Sequence, residues 1–235
     1  GVSVTASHNP PADNGIKLWT PSGMAFDEDR REQISTLLAA GASEPAGWDA
    51  VGDRRRWEGA RSRHAGVVAD AVDVAQDVRV VVDVGNGAGG VTVDALRAAG
   101  CSVETLNEGP DGRFPTRPSE PTPEHCATLR SVVAGTDADL GIAHDGDADR
   151  MLAVDDEGAF VSGDVLLALF AREAAGSGDR VAAPVNTSLA VDDALTAVGA
   201  SVVRTRVGDV FVAERARERD VAFGGEPSGA WIWPR

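Results

Sequence analysis

Val78-Arg-Val-Val-Val-Asp-Val84 is followed directly by Gly85-Asn-Gly-Ala-Gly-Gly90 and then by a helical pattern over 91–99. The apolar run is typical of a strand buried in a parallel sheet. Glycines after such a strand predict a tight turn into a helix. The same alternation of strand and helix continues to the end of the chain. It predicts an α/β protein with mixed, mainly parallel sheets and helices on both faces.

Two blocks of this alternation, 61–158 and 159–235, predict two successive, similar α/β domains, and 1–60 is expected to be part of an earlier one. An irregular connection is predicted over 42–59 and a long loop over 107–123. The helices are predicted at 27–40, 61–74, 91–99, 124–134, 165–174, 189–198 and 210–219, and the strands at 78–84, 101–106, 139–143, 181–185, 201–206 and 221–223.

Composition limits the possible partners. The net charge of −15 argues against nucleic acid, whose phosphates require clustered cations. No run approaches the ~20 apolar residues of a membrane helix. The isolated Cys101 and Cys126 are predicted to be buried thiols of a cytoplasmic protein. The chain begins at Gly1 inside a predicted strand, so we expect a piece of a longer protein.

The segment Thr5-Ala-Ser7-His8-Asn-Pro10 follows a short strand-like run and is rich in small and turn-forming residues. This arrangement is typical of a chain that presents a serine nucleophile, here Ser7. Lys17, the only lysine, lies ten residues further on. A lysine retained among arginines indicates a compact charge or a titratable amine, although a chance surface lysine is the alternative.

An acidic loop, Asp145-Gly-Asp147-Ala-Asp149-Arg150, follows the predicted strand 139–143. Carboxylates at alternate positions can converge on a hard divalent cation at the end of a parallel strand. An EF-hand begins in the same way, but Arg150 stands where that loop requires glycine. A Mg²⁺ site for phosphoryl transfer and a solvated acidic turn remain open. Arg150 favours the first, because guanidinium groups bind phosphate.

The glycines of 85–90 also match G-x-G-x-x-G, and Glu104 lies nineteen residues after Gly85. This is the fingerprint of dinucleotide binding and raises a nicotinamide-dependent dehydrogenase as an alternative. That alternative leaves the Ser7 segment and the three aspartates unexplained. We therefore favour a tight turn that requires glycine for backbone reasons.

A third loop, Gly225-Glu226-Pro-Ser228-Gly229, offers a carboxylate and a hydroxyl on a turn flanked by glycine. Such a pair suits sugar hydroxyls, although the motif alone is equally typical of an ordinary turn. The histidines at 64, 125 and 144 lack metal-ligand spacing and are predicted to be structural. His144, next to Asp145, has the alternative role of supporting the metal ligands.

Together and in this order, the three loops are similar to the phosphoserine, metal-binding and sugar-binding loops of the α-D-phosphohexomutase family. Further matches are Asn14-Gly-Ile-Lys17, Asp83-Val-Gly-Asn-Gly87, Pro110-Asp-Gly-Arg-Phe-Pro115 and Thr205-Arg-Val-Gly-Asp209. The resemblance covers nearly the whole chain. It implies a four-domain enzyme, of which 1–60 would end domain 1, 61–158 would form domain 2 and 159–235 most of domain 3. The start of domain 1 and a C-terminal phosphate-binding domain would be absent.

The resemblance also implies the chemistry. A phosphoryl group on Ser7 would pass to the sugar and return through a hexose 1,6-bisphosphate, which interconverts hexose 6-phosphate and hexose 1-phosphate. The implied catalytic residues are Ser7, His8, Lys17 and Arg150, the implied Mg²⁺ ligands are Ser7, Asp145, Asp147 and Asp149, and the implied substrate-binding residues are Asp209, Gly225, Glu226 and Ser228. Small-molecule hexose phosphates would be the partners, in the cytoplasm. A chain lacking half the cleft is expected to turn over poorly or not at all.

One position departs from the family pattern. Ala230 stands where some bacterial members carry histidine, which makes Lys17 the better acid/base candidate. The run Val207-Gly-Asp209, followed by Phe211-Val212, resembles phosphoglucosamine mutases and favours glucosamine phosphate as substrate. Phosphomannomutase/phosphoglucomutase activity is the first alternative. A non-catalytic sugar-phosphate binder is a further one.

Overall fold

The computed structural model describes residues 1–42, 44–75 and 77–234. Three predicted regions include a position outside the described residues: Ser43 in the connection 42–59, Gln76 in the domain 61–158 and Arg235 in the domain 159–235. The strands are β1 Val2–Val4, β2 Ile16–Leu18, β3 Arg79–Asp83, β4 Ser102–Leu106, β5 Leu140–His144, β6 Met151–Asp155, β7 Phe160–Val161, β8 Arg180–Pro184, β9 Ser201–Thr205, β10 Val221–Gly225 and β11 Trp231–Ile232. The helices are α1 Glu28–Ala39, α2 Ala60–Ala71, α3 Gly90–Ala98, α4 Ala127–Ala134, α5 Gly163–Ala174, α6 Leu189–Thr196 and α7 Asp209–Ala216.

The first large sheet has the strand order β4-β3-β5-β6-β7. At its centre β3 pairs in parallel with β4 and β5, whereas β6 and β7 are antiparallel. Val80 and Val82 pack with Val93 of α3 on one face, and Val81 packs with Leu129 of α4 on the other. Both faces of β3 are therefore buried, which confirms the prediction made from its apolar run.

The second large sheet has the order β11-β10-β8-β9, with β8 parallel to both of its neighbours. Val181 and Ala183 pack in one cluster with Leu167 of α5 and Leu195 of α6. Ala182 between them packs with α7 in a separate cluster. The predicted α/β class, with mixed sheets and helices on both faces, is confirmed.

Several edge strands and boundaries differ from the prediction. β2, β6 and β11 were not predicted. β2 and β11 are short strands at a sheet edge, whereas β6 has five residues and lies between β5 and β7, with which it pairs antiparallel. α4 begins at Ala127 rather than at 124, since the Cys126 N–H donates to Thr122 and forms a turn first. β10 continues to Gly225 rather than ending at 223, because its last two residues pair with β11.

The N-terminal part consists of the antiparallel β1–β2 hairpin and α1. Asp27 caps α1, since its side chain accepts a hydrogen bond from the Arg30 N–H at 2.9 Å. No residue of α1 is buried. This part contacts the rest of the molecule through the turn after β1 and Lys17 of β2, which bond to the segment after β5, and through Glu28 of α1, which pairs with Arg206.

Cys101 and Cys126 are both buried and unpaired, as predicted. Burial raises the pKa of the Cys126 thiol to about 11. Within the described part of the chain, no helix has both the length and the apolar character needed to cross a lipid bilayer.

Candidate active site

Ser7 lies on the turn that follows β1, with a left-handed backbone φ of 53°. Residues other than glycine adopt this conformation rarely, and such strain clusters at functional sites. The Ser7 N–H donates to Thr5 Oγ1 at 2.9 Å, and both the N–H and the side-chain amide of Asn9 donate to the Ala6 carbonyl. The turn is thus fixed by its own bonds. Ser7 Oγ reaches the acidic loop and donates to Asp145 Oδ2 at 2.8 Å.

The three carboxylates of the acidic loop converge. One oxygen from each of Asp145, Asp147 and Asp149 lies within 4.8 Å of the others. Asp145 is 1% exposed at the end of β5, and Asp147 Oδ1 is buried with no hydrogen-bond partner among the described residues. A hard divalent cation would satisfy this unpaired oxygen. The residues therefore fit a metal ion, and the strand before the loop excludes an EF-hand.

Burial raises the pKa of Asp145 to about 6, and the charges of Asp149 and Asp147 act in the same direction. The hydrogen bonds that Asp145 accepts from Ser7 and from the Arg150 N–H oppose this shift. The charged form of Asp145 is therefore costly without a cation nearby. A bound metal ion would remove that cost.

Lys17 lies on β2, opposite Ser3 of β1. Its ammonium group donates to Asp147 Oδ2 at 2.8 Å and also donates to Asp149. Burial would lower the pKa of Lys17, but the hydrogen bonds and charges of the two aspartates outweigh it and raise the pKa. The amine is therefore a cation at neutral pH, which can donate a proton but not accept one.

His8 and Arg150 flank the Ser7 hydroxyl. His8 Nδ1 lies 3.4 Å from Ser7 Oγ, so a small rotation would bring the imidazole into hydrogen-bonding range. The Arg150 N–H donates to Asp145 Oδ1 at 3.2 Å, and the Arg150 guanidinium borders the same cleft as Ser7 without a partner among the described residues. An unpaired guanidinium beside a nucleophile is available to bind phosphate.

His144 supports the acidic loop from behind. Its Nδ1 lies 2.8 Å from the Arg150 carbonyl, and because a carbonyl only accepts, Nδ1 carries the proton. Burial lowers the pKa of His144, although the bond to Arg150 opposes the shift, so the ring is neutral. The bond joins the two ends of the acidic loop. Of the two roles considered from the sequence, the geometry favours support of the metal ligands.

The third loop presents Glu226, which is 6% exposed. Glu226 Oε1 accepts a 2.8 Å hydrogen bond from the Gly208 N–H, and Ser228 Oγ lies 3.4 Å from Oε2. Gly208 stands just before α7, so the turn at 207–209 holds the Glu226 carboxylate in place. The motifs 205–209 and 225–229, which were matched separately to the family, are therefore joined by a hydrogen bond in the structure.

The third loop is also fixed to the end of the acidic loop. The Met151 N–H donates to the Gly229 carbonyl, and the Trp231 indole donates to the Met151 carbonyl, each at 2.9 Å. Met151 directly follows Arg150, so these bonds hold the third loop beside the carboxylate cluster. A β-carbon on Gly229, whose φ is 103°, would lie 2.9 Å from the Met151 carbonyl oxygen.

A cleft of 810 Å³ joins these loops. The predicted site residues on its walls are Ser7, His8, Lys17, Asp149, Arg150, Asp209 and Glu226. Asp145 and Asp147 are hydrogen-bonded to two residues of these walls, Ser7 and Lys17. Ser228 borders a second cavity instead, and Gly225 is buried in β10 against Leu167 and Trp231. Roles for Ser228 and Gly225 at the substrate stay predictions.

Some residues of the site were not identified from the sequence. Thr5 Oγ1 donates to Asp147 Oδ2 at 2.9 Å while accepting the Ser7 N–H, so it joins the two loops. Its place two residues before Ser7 was the available signal. Arg30 and Arg217 also border the cleft. Nothing local marks them in a chain whose basic residues are almost all arginine.

The glycine turn 85–90 is filled by the chain itself. The Ala88 N–H donates to the Gly146 carbonyl at 3.0 Å, and a β-carbon at Gly87 would overlap that same carbonyl group. At Gly85, with φ of 62°, a β-carbon would overlap the guanidinium of Arg117. The turn thus packs against the acidic loop, where a dinucleotide-binding protein would place pyrophosphate. This geometry favours the structural interpretation of the glycines.

Three family models match the chain in order. They describe the α/β/α domains of phosphoglucomutase/phosphomannomutase, with domain I at residues 1–44, domain II at 64–158 and domain III at 162–235. A probable phosphoglucosamine mutase of Methanococcoides burtonii is 47% identical over 236 residues, which cover all of this chain and 54% of that protein. The corresponding protein of Methanothermobacter thermautotrophicus is 46% identical over 235 residues, which are 51% of its length. The chain spans about half the length of these curated relatives.

Solved structures agree with this result. A phosphoglucomutase/phosphomannomutase family protein of Burkholderia thailandensis superposes with a TM-score of 0.86 at 27% identity, over 99% of this chain and 50% of that one. A putative phosphomannomutase of Thermus thermophilus gives a TM-score of 0.85 at 26% identity, over 100% of this chain and 55% of that one.

Proposed function

Because the chain belongs to the phosphoglucomutase/phosphomannomutase family, we propose that it is part of an enzyme that interconverts hexose 6-phosphate and hexose 1-phosphate. The observation that carries the proposal is the bond from Ser7 Oγ to Asp145 Oδ2 within the carboxylate cluster. It places a hydroxyl nucleophile at a site fit for a metal ion. Glu226 lies on the same cleft and offers an acceptor for sugar hydroxyls.

Mg²⁺ is the proposed metal ion, which Asp145, Asp147 and Asp149 would hold together with Ser7. An all-oxygen ligand set with an unpaired carboxylate oxygen supports this assignment. When bound, Mg²⁺ would neutralise charge on the transferring phosphoryl group. Hexose 1,6-bisphosphate is the proposed intermediate and activator.

Loading of Ser7 requires one bond to break and one to form. The bond between phosphorus and the sugar oxygen breaks, and a bond between phosphorus and Ser7 Oγ forms. The Ser7 proton moves to an acceptor, for which His8 Nδ1 at 3.4 Å is placed, since Asp145 would stay ionised as a metal ligand. The leaving sugar oxygen takes a proton, which the Lys17 ammonium can supply. The return step reverses these changes on the other end of the sugar.

Lys17 and Arg150 supply the positive charge that the transferring oxygens need. Both border the cleft beside Ser7, and the Arg150 guanidinium is not engaged by the described residues. Fixed cations where negative charge develops are the main source of catalysis in phosphoryl transfer. The same two side chains would hold the phosphate in both orientations of the intermediate.

Glucosamine phosphate is the proposed substrate. The names of the 47% and 46% identical archaeal relatives support it, as does the turn at 207–209, whose Gly208 holds Glu226. Asp209 follows on the cleft wall and adds an acidic group there. Mannose and glucose phosphates are the alternative substrates, because sugar preference depends on a few loop contacts.

The domain divisions 1–60, 61–158 and 159–235 and a cytoplasmic location are also proposals. Pairing of β7 with β6 extends the first large sheet to Val161, which supports a second boundary a few residues later. The family model of domain II ends at 158 and that of domain III begins at 162, so the two models lie on either side of the possible boundaries.

Turnover of the whole protein on the 1-phosphates of glucosamine, glucose and mannose tests the proposed function. We expect glucosamine 1-phosphate to be converted with the highest kcat/KM, and Ser7→Ala to lose turnover on all three. Ser3→Ala, on the exposed part of β1, is the matched control. A strong preference for mannose 1-phosphate would contradict the assignment of glucosamine phosphate as substrate. Full activity of Ser7→Ala would contradict the mechanism.

A further inference from the structure

Arg117 is a buried cation that the proposed reaction does not use. It lies in the long loop 107–123, and its side chain is 5% exposed. Its Nε donates to Asp83 Oδ2 at 2.6 Å, and the Asp83 carboxylate also accepts from the Gly85 N–H and the Asn107 amide. A buried, fully bonded ion pair adds little net stability compared with apolar residues of the same volume. Its presence here calls for another reason.

The hydrogen bonds of the other two nitrogens of Arg117 indicate why the buried pair is present. Nη1 donates to the carbonyls of Pro118 and Ser119 at 3.0 and 3.2 Å, which coils the loop around the guanidinium. Nη2 donates to the His144 carbonyl at 2.7 Å. His144 immediately precedes Asp145, so Arg117 holds the backbone from which the first carboxylate of the cluster projects.

The same segment reaches the nucleophile turn. Ser119 Oγ donates to the Asn9 carbonyl at 3.2 Å, two residues after Ser7, and Ser119 is 4% exposed. Residues 117–119, which we call the brace, thus bond to the backbone beside Ser7 and to the backbone beside Asp145. These are the two residues joined by the 2.8 Å bond from Oγ to Oδ2.

We propose that Arg117 is a positioning residue for the metal site, and that the brace sets the distance between the Ser7 hydroxyl and the carboxylate cluster. The inference rests on the proposed metal site. Asp83 orients the guanidinium, Arg117 fixes the acidic loop and Ser119 fixes the nucleophile turn. Groups that orient metal ligands in this way typically contribute 10–100-fold to metal affinity.

Binding of Mn²⁺ alone, followed by electron paramagnetic resonance on the whole protein, tests the metal half of the proposal. Arg117→Lys keeps the charge beside Asp83 but cannot reproduce the fork that also reaches the His144 carbonyl. We expect this variant to raise the Kd for Mn²⁺ by about 10–100-fold. Arg113→Lys is the matched control, because Arg113 lies in the same loop but is exposed and bonds only Asp111 among the described residues. An unchanged Kd in folded Arg117→Lys would overturn the proposal.

A double variant covers the case in which Arg117→Lys does not fold. Asp83→Asn with Arg117→Gln removes both charges together, so neither is left buried and unpaired. Circular dichroism would establish its fold, and we expect the same loss of Mn²⁺ affinity. Native affinity in this variant would overturn the proposal equally.

Loading of a phosphoryl group onto Ser7 from glucose 1,6-bisphosphate separates positioning from a general loss of structure. Loading in Arg117→Lys is expected to recover at saturating Mg²⁺, which a damaged fold would not allow. Ser119→Ala is expected to load more slowly at every Mg²⁺ concentration with an unchanged Kd for Mn²⁺. Equal behaviour of the two variants would contradict the division of roles within the brace.

Wild type and Asp147→Asn distinguish the failure of this inference from the failure of the proposed function. If wild type binds no Mn²⁺, the metal site itself is wrong. If wild type binds it, Asp147→Asn loses it and the Arg117 variants retain it, only the brace is wrong.

Discussion

Ser7 Oγ donates a 2.8 Å hydrogen bond to Asp145 Oδ2, which joins two residues 138 positions apart in the chain. The bond closes the gap between the hairpin turn after β1 and the end of β5. The strained φ of Ser7 and the raised pKa of Asp145 occur at its two ends. Both are costs that the folded protein bears where the proposed chemistry takes place.

Replacing Asp145 by Asn should stabilise the metal-free protein at neutral pH. The folded-state pKa of about 6 lies above the ordinary value of 3.8, so the folded state binds the proton more tightly than the unfolded state. Stability is therefore lost as pH rises from about 4 through 6, and the loss is complete above that window. We expect the melting temperature of Asp145→Asn at pH 7.5 to exceed that of wild type by on the order of a few degrees.

The difference in melting temperature should shrink toward pH 4, where Asp145 of folded wild type is protonated and therefore neutral, as asparagine is. Mg²⁺ should raise the melting temperature of wild type but not that of the variant. Asp156→Asn, at an exposed turn beyond β6, is the control. A variant less stable than wild type in metal-free buffer at pH 7.5 would refute this prediction.

Lys17 should titrate above its ordinary pKa until a metal ion binds. Asp147 and Asp149 raise its pKa against the effect of burial, and a divalent cation would neutralise both carboxylates. In ¹⁵N NMR of the side-chain amines of the whole protein, the Lys17 signal is the one that Lys17→Arg removes. We expect that signal to titrate at lower pH when Mg²⁺ is added, and an identical titration with and without Mg²⁺ would contradict the shared site.

Lys17→Arg tests the role of the amine in proton transfer. Arginine keeps the positive charge but cannot donate a proton at neutral pH. We expect kcat to fall on the order of 10²-fold, the usual contribution of a positioned acid, with little change in the Kd for Mn²⁺. Undiminished turnover would count against Lys17 as the proton donor.

Glu226→Ala should weaken sugar binding and leave the metal site intact. The carboxylate is held by the Gly208 N–H on the cleft and lies outside the carboxylate cluster. We expect KM for the hexose phosphate to rise by roughly 10–100-fold, as for loss of a charged hydrogen bond of about 1.5–3 kcal/mol. Glu173→Ala, on the exposed side of α5, is the control. A fall in Mn²⁺ affinity without a change in KM would show that the role is misassigned.

Gly87→Ala tests the assignment of the glycine turn. The added β-carbon would overlap the Gly146 carbonyl, so we expect the free energy of unfolding to fall by about 1–3 kcal/mol. Gly109→Ala has open space at its β-carbon and should be near neutral. Isothermal titration of wild type with NAD should show no binding. If wild type binds NAD and Gly87→Ala does not, the dehydrogenase alternative is restored.

The sequence predicted the elements whose signal is local. The apolar run of β3 and the helices beside it were found with small errors at their ends, because burial on both faces leaves a continuous pattern. β6 and β11 were missed, since their antiparallel pairing with β5 and β10 depends on neighbours that local pattern does not reveal. The extension of β10 to Gly225 was missed because glycine has little strand propensity.

The residues of the candidate site also differ in whether a local sequence pattern reveals them. Ser7, Lys17 and the three aspartates stand in motifs with their own spacing, and the structure brings them together. Arg117 and Asp83 lie 34 positions apart and share no local pattern. A buried pair of this kind becomes visible only when the loop has folded onto the end of β3.

The intact mass of the whole protein, after incubation with Mg²⁺ and glucose 1,6-bisphosphate, tests the central claim most directly. The account predicts one added phosphoryl group on wild type and on Ser3→Ala, and none on Ser7→Ala. It also predicts that removal of Mg²⁺ by a chelator prevents the addition. A protein that gains no phosphoryl group under any of these conditions, or that gains one with Ser7 replaced, would contradict the assignment of Ser7 as the phosphoryl carrier.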